Sequence, residues 1–420
     1  MVVNQNKFFS TVLAIVVLSQ LYMSSFGVKM GIQIIALILI LVLKTQQTVA
    51  IGYFKKVLPL FLIICIGLLG TLFNDYNKVN IIKDILHLSK PILGLTLSYF
   101  IFKNISDFRT FIKIIINIGL LSAIYHVGSI VLLSNFSFEN IRSFGLDNFF
   151  ELFALLLLLH VSKHFEKPIF ENSWKRKVIT FVLIISNILY LSRTMLIIFI
   201  LATLSIYGYT KLTKSILKKM GVAVVLLLVL YSYLFSIKID RTGKGLEPFL
   251  YKVKNAPEEI FKTKIDRDNH EDLWDHWRGY EAKRAFALME DHPSSYVVGT
   301  GLGSLINLKF KAPLGEKGMR YISELHNGYV YVFYKTGLLG IICMVSFLFS
   351  LYHFIYKREK NNEHLLVLKF ISGIGLSYFF TTLVITGVYN PNDALIYILG
   401  GLLFFERKIN AQFPLNLSND

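Results

Sequence analysis

The stretch His326–Gly340 reads HNGYVYVFYKTGLLG and joins a polar segment to an apolar run that reaches Leu351. A His-Asn pair stands at the start of that run, and two glycines three residues apart follow inside it. A helix that begins here directs its free amide groups, and the positive end of its dipole, at the surroundings of His326. This placement favours an anion and disfavours an imidazolium, so it predicts a neutral His326 that can accept a proton. The alternative is a histidine that only reaches toward water at a membrane edge.

The composition of the whole chain is that of a membrane protein. Of its 420 residues 54% are hydrophobic, the formal net charge is +17, and the mean hydropathy is +0.56. A soluble protein of this length could not bury so much apolar surface in one core. The apolar residues also form blocks close to the roughly 20 residues that a membrane-spanning helix needs. The first block, Phe8–Phe26, has no evident small-residue cleavage site after it, so we expect a retained span rather than a signal peptide.

Lysine and arginine concentrate in alternate short loops. The clusters lie around Lys55–Lys56, Lys103–Lys113, Lys175–Lys177, Lys211–Lys219, Lys357–Lys369 and Arg407–Lys408. This alternation follows the positive-inside rule and predicts that both termini lie in the cytoplasm. No basic patch with stacking aromatic residues stands apart from the membrane flanks, so nucleic acid is not an expected partner.

The sequence predicts an all-α polytopic membrane protein with twelve transmembrane helices and one large periplasmic loop that contains a helix. The expected spans are Phe8–Ser25, Gly31–Leu43, Val57–Phe73, Ile81–Phe102, Phe111–Ser134, Phe149–Val161, Val178–Leu191, Met195–Tyr209, Gly221–Ile237, Asn327–Ile355, Leu366–Val388 and Ala394–Phe405. The chain then divides into residues 1–237 with nine spans, the loop at 238–325, and residues 326–420 with three spans and a short tail. Loops of this length are usually functional or disordered, and the predicted helix favours function.

Two local patterns refine this picture. The fourth span begins with Lys83, Asp84, His87 and Lys90 before Pro91, so its first turns are expected to face protein or water rather than lipid. In the loop, Leu273–Met289 has the apolar spacing of an amphipathic helix that ends before Pro293. The sequence GTGLGS at 299–304 follows, and we expect a flexible turn there.

Two arginines are candidate anion ligands. Arg193 interrupts the seventh and eighth apolar runs, where a charge within the membrane costs about 2.5–3.5 kcal/mol without a partner. It could bind an anion in a cavity, or it could be an interfacial arginine at the outer ends of both spans. Arg278 lies on the predicted loop helix with Glu281 three residues on, and this spacing by itself favours an ordinary ion pair between the two.

Other polar residues carry weaker signals. Arg142 and Asp393 fall in predicted external loops, where they are expected to be loop residues or salt-bridge partners. Asp266-Arg267-Asp268 has the acidic spacing of some nucleotide-sugar enzymes, but the strand–helix alternation of those enzymes is absent around it. Cys65 and Cys343 both lie in apolar runs. We therefore predict neither a metal site nor a disulfide framework.

The spacing from His326-Asn327 through nine residues to Gly337 and Gly340 resembles the H-N-x9-G-x-x-G signature of the O-antigen ligase family. The plan of twelve spans with a large loop before that signature is also similar to this family. Arg193 after Ser192 stands where the family has a Ser/Thr-Arg pair. Arg278 resembles the loop arginine that precedes a P-x-x-G-x-G turn, although five residues separate Pro293 from Gly299 here and Ala282 replaces the usual aromatic residue.

The resemblance implies transfer of a glycan from undecaprenyl diphosphate to an acceptor sugar, on the periplasmic face of the bacterial inner membrane. It implies His326 as the base and Arg193 and Arg278 as ligands of the diphosphate, with the motif residues Asn327, Gly337 and Gly340 in support. Arg142 and Asp393 lie outside the resemblance and are kept as further supporting candidates because they are external polar residues. The carrier already stores the activation energy, so no cofactor is expected. The expected partners are the lipid-linked donor, an acceptor glycan (lipid A-core or a lipid-linked repeat) and membrane lipids.

Three other functions stay open from the sequence. A polymerase of O-antigen, capsule or exopolysaccharide shares the chemistry of a ligase, toward which the histidine motif points. A transporter or flippase of lipid-linked sugar would need external arginines but no base at His326. A structural membrane partner would leave the long loop without a task.

Overall fold

The structure is a computed structural model that describes residues 5–43, 51–134, 141–142, 144, 146–161, 168–241, 247–262, 264–266, 269–314 and 318–413. Helices dominate these residues. Those at the predicted spans are α1 (Gln5–Tyr22), α2 (Phe26–Leu43), α3 (Ile51–Thr71), α4 (Lys78–Ile105), α5 (Phe108–Leu133), α6 (Phe149–Val161), α7 (Ser173–Leu189), α8 (Arg193–Ile206) and α9 (Lys214–Ser236). After the loop follow α15 (Gly328–Tyr352), α16 (Asn362–Ile385) and α17 (Leu395–Gln412).

Seven of the described helices are long and apolar enough to cross a membrane. They are Phe26–Leu43, Ile51–Thr71, Lys78–Ile105, Phe108–Leu133, Lys214–Ser236, Gly328–Tyr356 (which includes a 3-10 turn) and Asn362–Ile385. Two shorter apolar helices are Phe149–Val161 and Arg193–Ile206. The chain is therefore a multi-pass membrane protein, while the count of twelve spans stays a prediction.

Short polar residues define where several helices begin. At each of these N-caps the side chain accepts a hydrogen bond from a backbone amide of the first turn, an amide that has no partner within the helix. The caps are Asn77 before α4, Asp107 before α5, Asn172 before α7, Ser192 before α8, Thr213 before α9, Asn327 before α15 and Asn361 before α16. Capping by Ser192 thus fixes the start of α8 at Arg193, and capping by Asn327 fixes the start of α15 just after His326.

The loops segregate to two ends of the helix bundle. At the basic end the Tyr352 hydroxyl donates to the Thr210 carbonyl at 2.7 Å, and Lys408 bonds to the Ser106 carbonyl. The opposite end gathers the loop segments 71–77, 146–148, 187–193, 298–304 and 384–393, together with Arg142. The basic end contains the clusters predicted to be cytoplasmic, and its orientation in the cell rests on the positive-inside pattern.

The loop between α9 and α15 contains helices, as the sequence predicted, and also a pair of strands. It contains helices α10 (Glu247–Asn255), α11 (Glu258–Phe261), α12 (His270–Asp275), α13 (Trp277–Glu290) and α14 (Ser295–Val298). An antiparallel pair of strands, β1 (Ile306–Ala312) and β2 (Met319–Ile322), follows. The helix bundle agrees with the predicted all-α class, and the loop adds this strand pair. Over its first residues β1 alternates buried and more exposed side chains, which is a strand pattern.

The predicted helix Leu273–Met289 is in fact two helices. The break falls at His276, whose backbone has φ −117° and ψ 26°, outside the helical region. Trp274 and Trp277 on either side of the break stack with ring centroids 4.9 Å apart. The stacking explains how the apolar spacing continues across a break, which periodicity alone could not reveal.

The GTGLGS segment is a buried, tightly packed turn, so the prediction of a flexible turn is wrong. Gly301 has φ +88°, and a Cβ there would lie 2.5 Å from the Gly70 carbonyl carbon of α3. The Thr300 amide donates to the Tyr334 carbonyl at 2.7 Å, and the Leu302 amide donates to Gly67. The glycines therefore allow the turn to approach two helix backbones closely, which is a packing role.

Helix α15, predicted as one continuous span, has a kink at Gly337. Its φ of +63° is outside the helical range, and a Cβ there would lie 2.3 Å from the Val297 carbonyl carbon. At Gly340 a Cβ would lie 1.7 Å from the Thr336 hydroxyl oxygen. Gly337 thus lets the helix bend against α14 and the turn beside it, and Gly340 leaves room for the Thr336 side chain within the bent helix.

Charged side chains on α4 are buried within the protein. Asp84 forms an ion pair with Lys335 of α15 at 2.5 Å, and both side chains are almost fully buried. The Asp84 carboxylate also accepts bonds from the Gly303 amide at 2.6 Å and the Ser323 hydroxyl at 2.5 Å. This pair therefore joins α4, α15 and the loop at one point.

We expect Lys335→Met to destabilise the protein strongly because it leaves the Asp84 carboxylate buried without a cation. Breaking a buried ion pair in this way costs about 3–5 kcal/mol. The unfolding temperature of the purified protein in detergent would measure the loss. The double variant Asp84→Asn/Lys335→Met should recover much of it, and wild-type stability of Lys335→Met alone would contradict a structural role for the pair.

Candidate functional site

A polar cavity of about 300 Å³ opens at the loop-rich end opposite the basic one. It is lined by Arg142, Leu146, Asp147, Phe149, Tyr190, Ser192, Arg193, Thr194, Arg278, Ile385, Asn390, Asn392, Asp393 and Ala394. Three of these side chains are arginines and two are aspartates. The lining comes from the helix bundle and from the loop helix α13, so neither part forms the cavity alone.

Arg193 enters the cavity from the first residue of α8. Ser192 caps that helix by accepting a bond from the Met195 amide at 3.2 Å. The Arg193 guanidinium donates to the Lys252 carbonyl of α10 and to the Glu259 carboxylate, the latter at 3.3 Å. The arginine of the membrane helices is thereby bound to the loop.

Arg278 reaches the same carboxylate from α13. Its Nη1 lies 2.9 Å from Glu259 Oε2, and its Nε donates to the Val384 carbonyl at the end of α16, also at 2.9 Å. Glu259 therefore bridges the two guanidinium groups. The predicted pair of Arg278 with Glu281 is wrong, because Glu281 turns to another partner.

That partner is His326. The imidazole Nδ1 lies 3.0 Å from both carboxylate oxygens of Glu281, and the His326 backbone amide donates to Glu281 Oε2 at 3.0 Å. The Glu281 side chain is 2% exposed, whereas the imidazole is 47% exposed. A proton on Nδ1 satisfies the buried carboxylate and leaves Nε2 as the nitrogen with a free lone pair.

His326 lies beside the cavity and is absent from the residues that line it. The Thr386 amide donates to the His326 carbonyl at 2.7 Å, while Arg278 donates to Val384 two residues earlier. Arg278 and Glu281 are three residues apart, so they project from one side of α13. The imidazole and the two arginines are thus joined through one helix and the turn after α16.

Asn327 has a structural part in the start of α15. Its side-chain oxygen accepts bonds from the amides of Tyr329 at 3.0 Å and Val330 at 3.2 Å. Two of the amides that were expected to face an anion therefore already have a hydrogen-bond partner in the Asn327 side chain. Gly337 and Gly340 lie further along the same helix and do not line the cavity.

The remaining charges of the cavity are Arg142, Asp147 and Asp393. Burial raises the pKa of the Asp147 carboxyl, against hydrogen bonds from Ser192 and Thr194 and the nearby Arg142 and Arg278. Burial also raises the pKa of Asp393, against the charge of Lys90 and a bond from the Tyr378 hydroxyl at 2.8 Å. A carboxyl with a raised pKa stays neutral up to a higher pH than usual. Over that range it does not offset the positive potential of the arginines.

Several of these residues could not be found from the sequence. Glu259 and Asp147 stand in no motif, and their proximity to the arginines follows from contacts between distant segments. The spacing of Glu281 from Arg278 did single out this glutamate, but it indicated Arg278 as the partner instead of His326. Among the described residues no cluster of three His, Cys, Asp or Glu side chains could hold a metal ion. Arg267 and Asp268 of the acidic triplet lie outside the described residues.

An apolar cavity of about 560 Å³ adjoins the polar one between α6, α7 and α8. Its lining includes Leu155, Ile188, Met195 and Phe199, and it shares Ser192 with the polar cavity. An amphiphile could therefore place an anionic group beside Arg193 and an apolar chain in the neighbouring groove.

Residues 178–345 match a family model described as O-antigen ligase. The matched segment contains Arg193, Arg278 and His326 and the two motif glycines, whereas Arg142 and Asp393 lie outside it. No curated protein sequence matches the chain. The match confirms the family resemblance that the histidine–glycine spacing predicted.

Proposed function

From the match to the O-antigen ligase family, we propose that this membrane protein transfers a glycan from undecaprenyl diphosphate to a hydroxyl of an acceptor sugar. The transfer takes place on the periplasmic face of the bacterial inner membrane. One observation carries the proposal: helix α13 joins two guanidinium groups that share a carboxylate to an imidazole fixed by a buried glutamate. The family itself points to glycosyl transfer of ligase or polymerase type.

The proposed reaction is a single displacement. His326 Nε2 accepts the proton of the acceptor hydroxyl as the hydroxyl oxygen forms a bond to the anomeric carbon. The bond between that carbon and the phosphate oxygen breaks, and its electron pair leaves with undecaprenyl diphosphate. Because attack occurs opposite the leaving group, the anomeric configuration inverts. The reaction requires no covalent intermediate, nucleotide or metal.

The two arginines stabilise the departing diphosphate. Guanidinium groups carry a permanent charge and planar donors that suit phosphate oxygens, and they act most strongly where negative charge develops. Glu259 holds both arginines in position through contacts of 3.3 and 2.9 Å. A diphosphate carries more charge than this carboxylate, so it competes with Glu259 for the same donors.

The adjoining apolar groove supports a lipid-linked donor. Its apolar side chains would accept part of the isoprenoid chain, and Ser192 at the shared edge places the diphosphate next to Arg193. Burial of apolar surface contributes about 25 cal/mol per Å² to such binding. The groove therefore contributes affinity while the arginines position the reacting bond.

The acceptor distinguishes two forms of this function. We favour a ligase, which passes a finished polysaccharide to a sugar of lipid A-core, because the His326 motif follows the H-N-x9-G-x-x-G pattern in full. A polymerase would pass the growing chain to a lipid-linked repeat unit. Purified protein given the lipid-linked donor and each acceptor in turn separates the two by its product.

His326→Ala should reduce transfer by about 10²–10⁴-fold, because the acceptor hydroxyl loses its base. Donor binding should remain close to that of the wild type, since the arginine pair is intact. Transfer from lipid-linked donor to acceptor measures the first quantity, and binding of the radiolabelled donor measures the second. As a comparison, Arg193→Ala should weaken binding and transfer together. Undiminished transfer by His326→Ala would remove histidine from the mechanism.

Glu281→Gln should lower kcat by less than His326→Ala does and leave the KM for donor nearly constant. The amide can still bond to the imidazole, but it no longer favours a proton on Nδ1 alone, so the active tautomer is less populated. Steady-state kinetics of both variants provide the test. A change in donor KM with kcat preserved would assign Glu281 to binding instead.

Donor affinity should rise as the pH falls through the raised pKa of Asp147. Below that pKa the carboxyl is neutral and no longer repels the diphosphate, whereas above it the carboxylate opposes the arginines. The effect should be on the order of tenfold, and a diphosphate diester does not itself titrate in this range. Donor binding measured from the ordinary pKa of an aspartate up to neutral pH tests this expectation. Asp147→Asn should reduce the slope and leave only the part due to Asp393, whose pKa is also raised in this cavity. An unchanged slope in that variant would exclude Asp147 as a source.

A further inference from the structure

A third cavity, of about 630 Å³, lies at the basic end of the bundle, away from the candidate site. Three segments that are distant in the chain form its walls: the start of α3, the end of α15 with the 3-10 turn His353–Tyr356, and the last turns of α17. Its lining includes the cations Lys55, Lys56, Lys357 and Arg407 and the carboxylate Glu406. The proposed glycosyl transfer makes no use of this cavity.

The cavity has an excess of positive charge. Four cations and one carboxylate among its described lining residues give a formal charge of +3 (4 − 1). The carboxylate is already engaged, because Glu406 accepts from Lys357 Nζ at 2.6 Å and from the Asn410 side-chain amide at 2.8 Å. The remaining cations would therefore attract an anion from outside the chain.

The cations are held in place by the surrounding protein. Lys56 Nζ donates to the Ser350 carbonyl at 3.2 Å and lies 4.8 Å from the centre of the Phe354 ring. Lys357 Nζ lies 4.0 Å from the centre of that ring. One aromatic side chain thus holds two like charges near each other, and such an arrangement is favourable when an anion lies between them.

Gly52 gives Arg407 its place in the wall. A Cβ at Gly52 would lie 2.6 Å from Arg407 Nη1, so the guanidinium rests against the backbone of α3 where a side chain would otherwise stand. Lys55 and Lys56 follow on the same helix. Basic groups from α3 and α17 therefore face one cavity rather than separate stretches of solvent.

The neighbouring surface is apolar. Pro59 and Leu403 line the cavity itself, and Phe54 and Phe61 of α3 are more than half exposed on the outside of the bundle. Exposed apolar side chains on a membrane-spanning helix face lipid. The cavity therefore combines a cationic pocket with adjacent surface that acyl chains can cover.

We propose that this cavity binds the phosphate group of an anionic membrane phospholipid, with its acyl chains against α3. Basic pockets between membrane helices at the cytoplasmic side are suited to anionic headgroups, because ammonium and guanidinium groups bind phosphate oxygens by charge-assisted hydrogen bonds. A lipid bound there joins α3, α15 and α17 at one end. It therefore stabilises α15, the helix that is kinked at Gly337 toward the other end of the bundle.

The test is the unfolding temperature of the full-length purified protein in detergent, titrated with phosphatidylglycerol or phosphatidylcholine. Phosphatidylglycerol should raise the midpoint of the wild type by roughly 2–4 °C more than phosphatidylcholine does. The double variant Lys56→Gln/Arg407→Gln should lose this difference. Each protein is compared with itself without lipid, so a lower starting stability of the variant does not affect the shift of its unfolding midpoint that is measured.

The matched control is Lys214→Gln/Lys218→Gln, which removes two exposed charges at the same end, on α9, outside the cavity. It should respond to phosphatidylglycerol as the wild type does. An equal response of the cavity variant, or an equal effect of both lipids, would overturn the proposal. Inorganic phosphate that raises the midpoint as much as phosphatidylglycerol, with the cavity variant unresponsive, would reassign the pocket to free phosphate and overturn the lipid assignment.

Discussion

The site depends on one constraint: a charge taken out of water beside a membrane must find an opposite charge or a hydrogen-bond partner. Glu259 pairs with two arginines, and Glu281 pairs with an imidazole. Both carboxylates belong to the long loop, whereas Arg193 begins bundle helix α8 and His326 lies just before bundle helix α15. Charge pairing therefore joins the loop to the bundle at the place where the candidate chemistry lies.

The same constraint explains how the loop is anchored away from the site. Asp84 and Lys335 pair within the bundle, and the remaining bonds of Asp84 go to the Gly303 amide and the Ser323 hydroxyl of the loop. The glycine-rich turn fits between α3 and α15 because Gly301 can approach Gly70 closely. These contacts thus hold the C-terminal part of the loop against the bundle, and α13, which precedes it, presents Arg278 and Glu281 to their partners.

The structure also separates the two sorts of basic residue in this chain. Arginines at the loop-rich end converge on carboxylates and line a small polar cavity. Lysines at the other end, with Arg407, line a wider cavity that contains a single described carboxylate. A net charge of +17 therefore contains a part that reflects membrane orientation and a part built into particular cavities.

The sequence determined the membrane character, the approximate positions of the helices and the resemblance to the O-antigen ligase family, because hydropathy, alternating basic loops and the spacing of His326 to Gly340 are local patterns. It indicated Arg193, Arg278 and His326 as residues of interest through motifs. Only the tertiary structure decided which carboxylate binds which cation, that α15 bends at Gly337, and that the loop contains a strand pair. Those features arise from contacts between segments far apart in the chain, and periodicity and spacing along a sequence do not record such contacts.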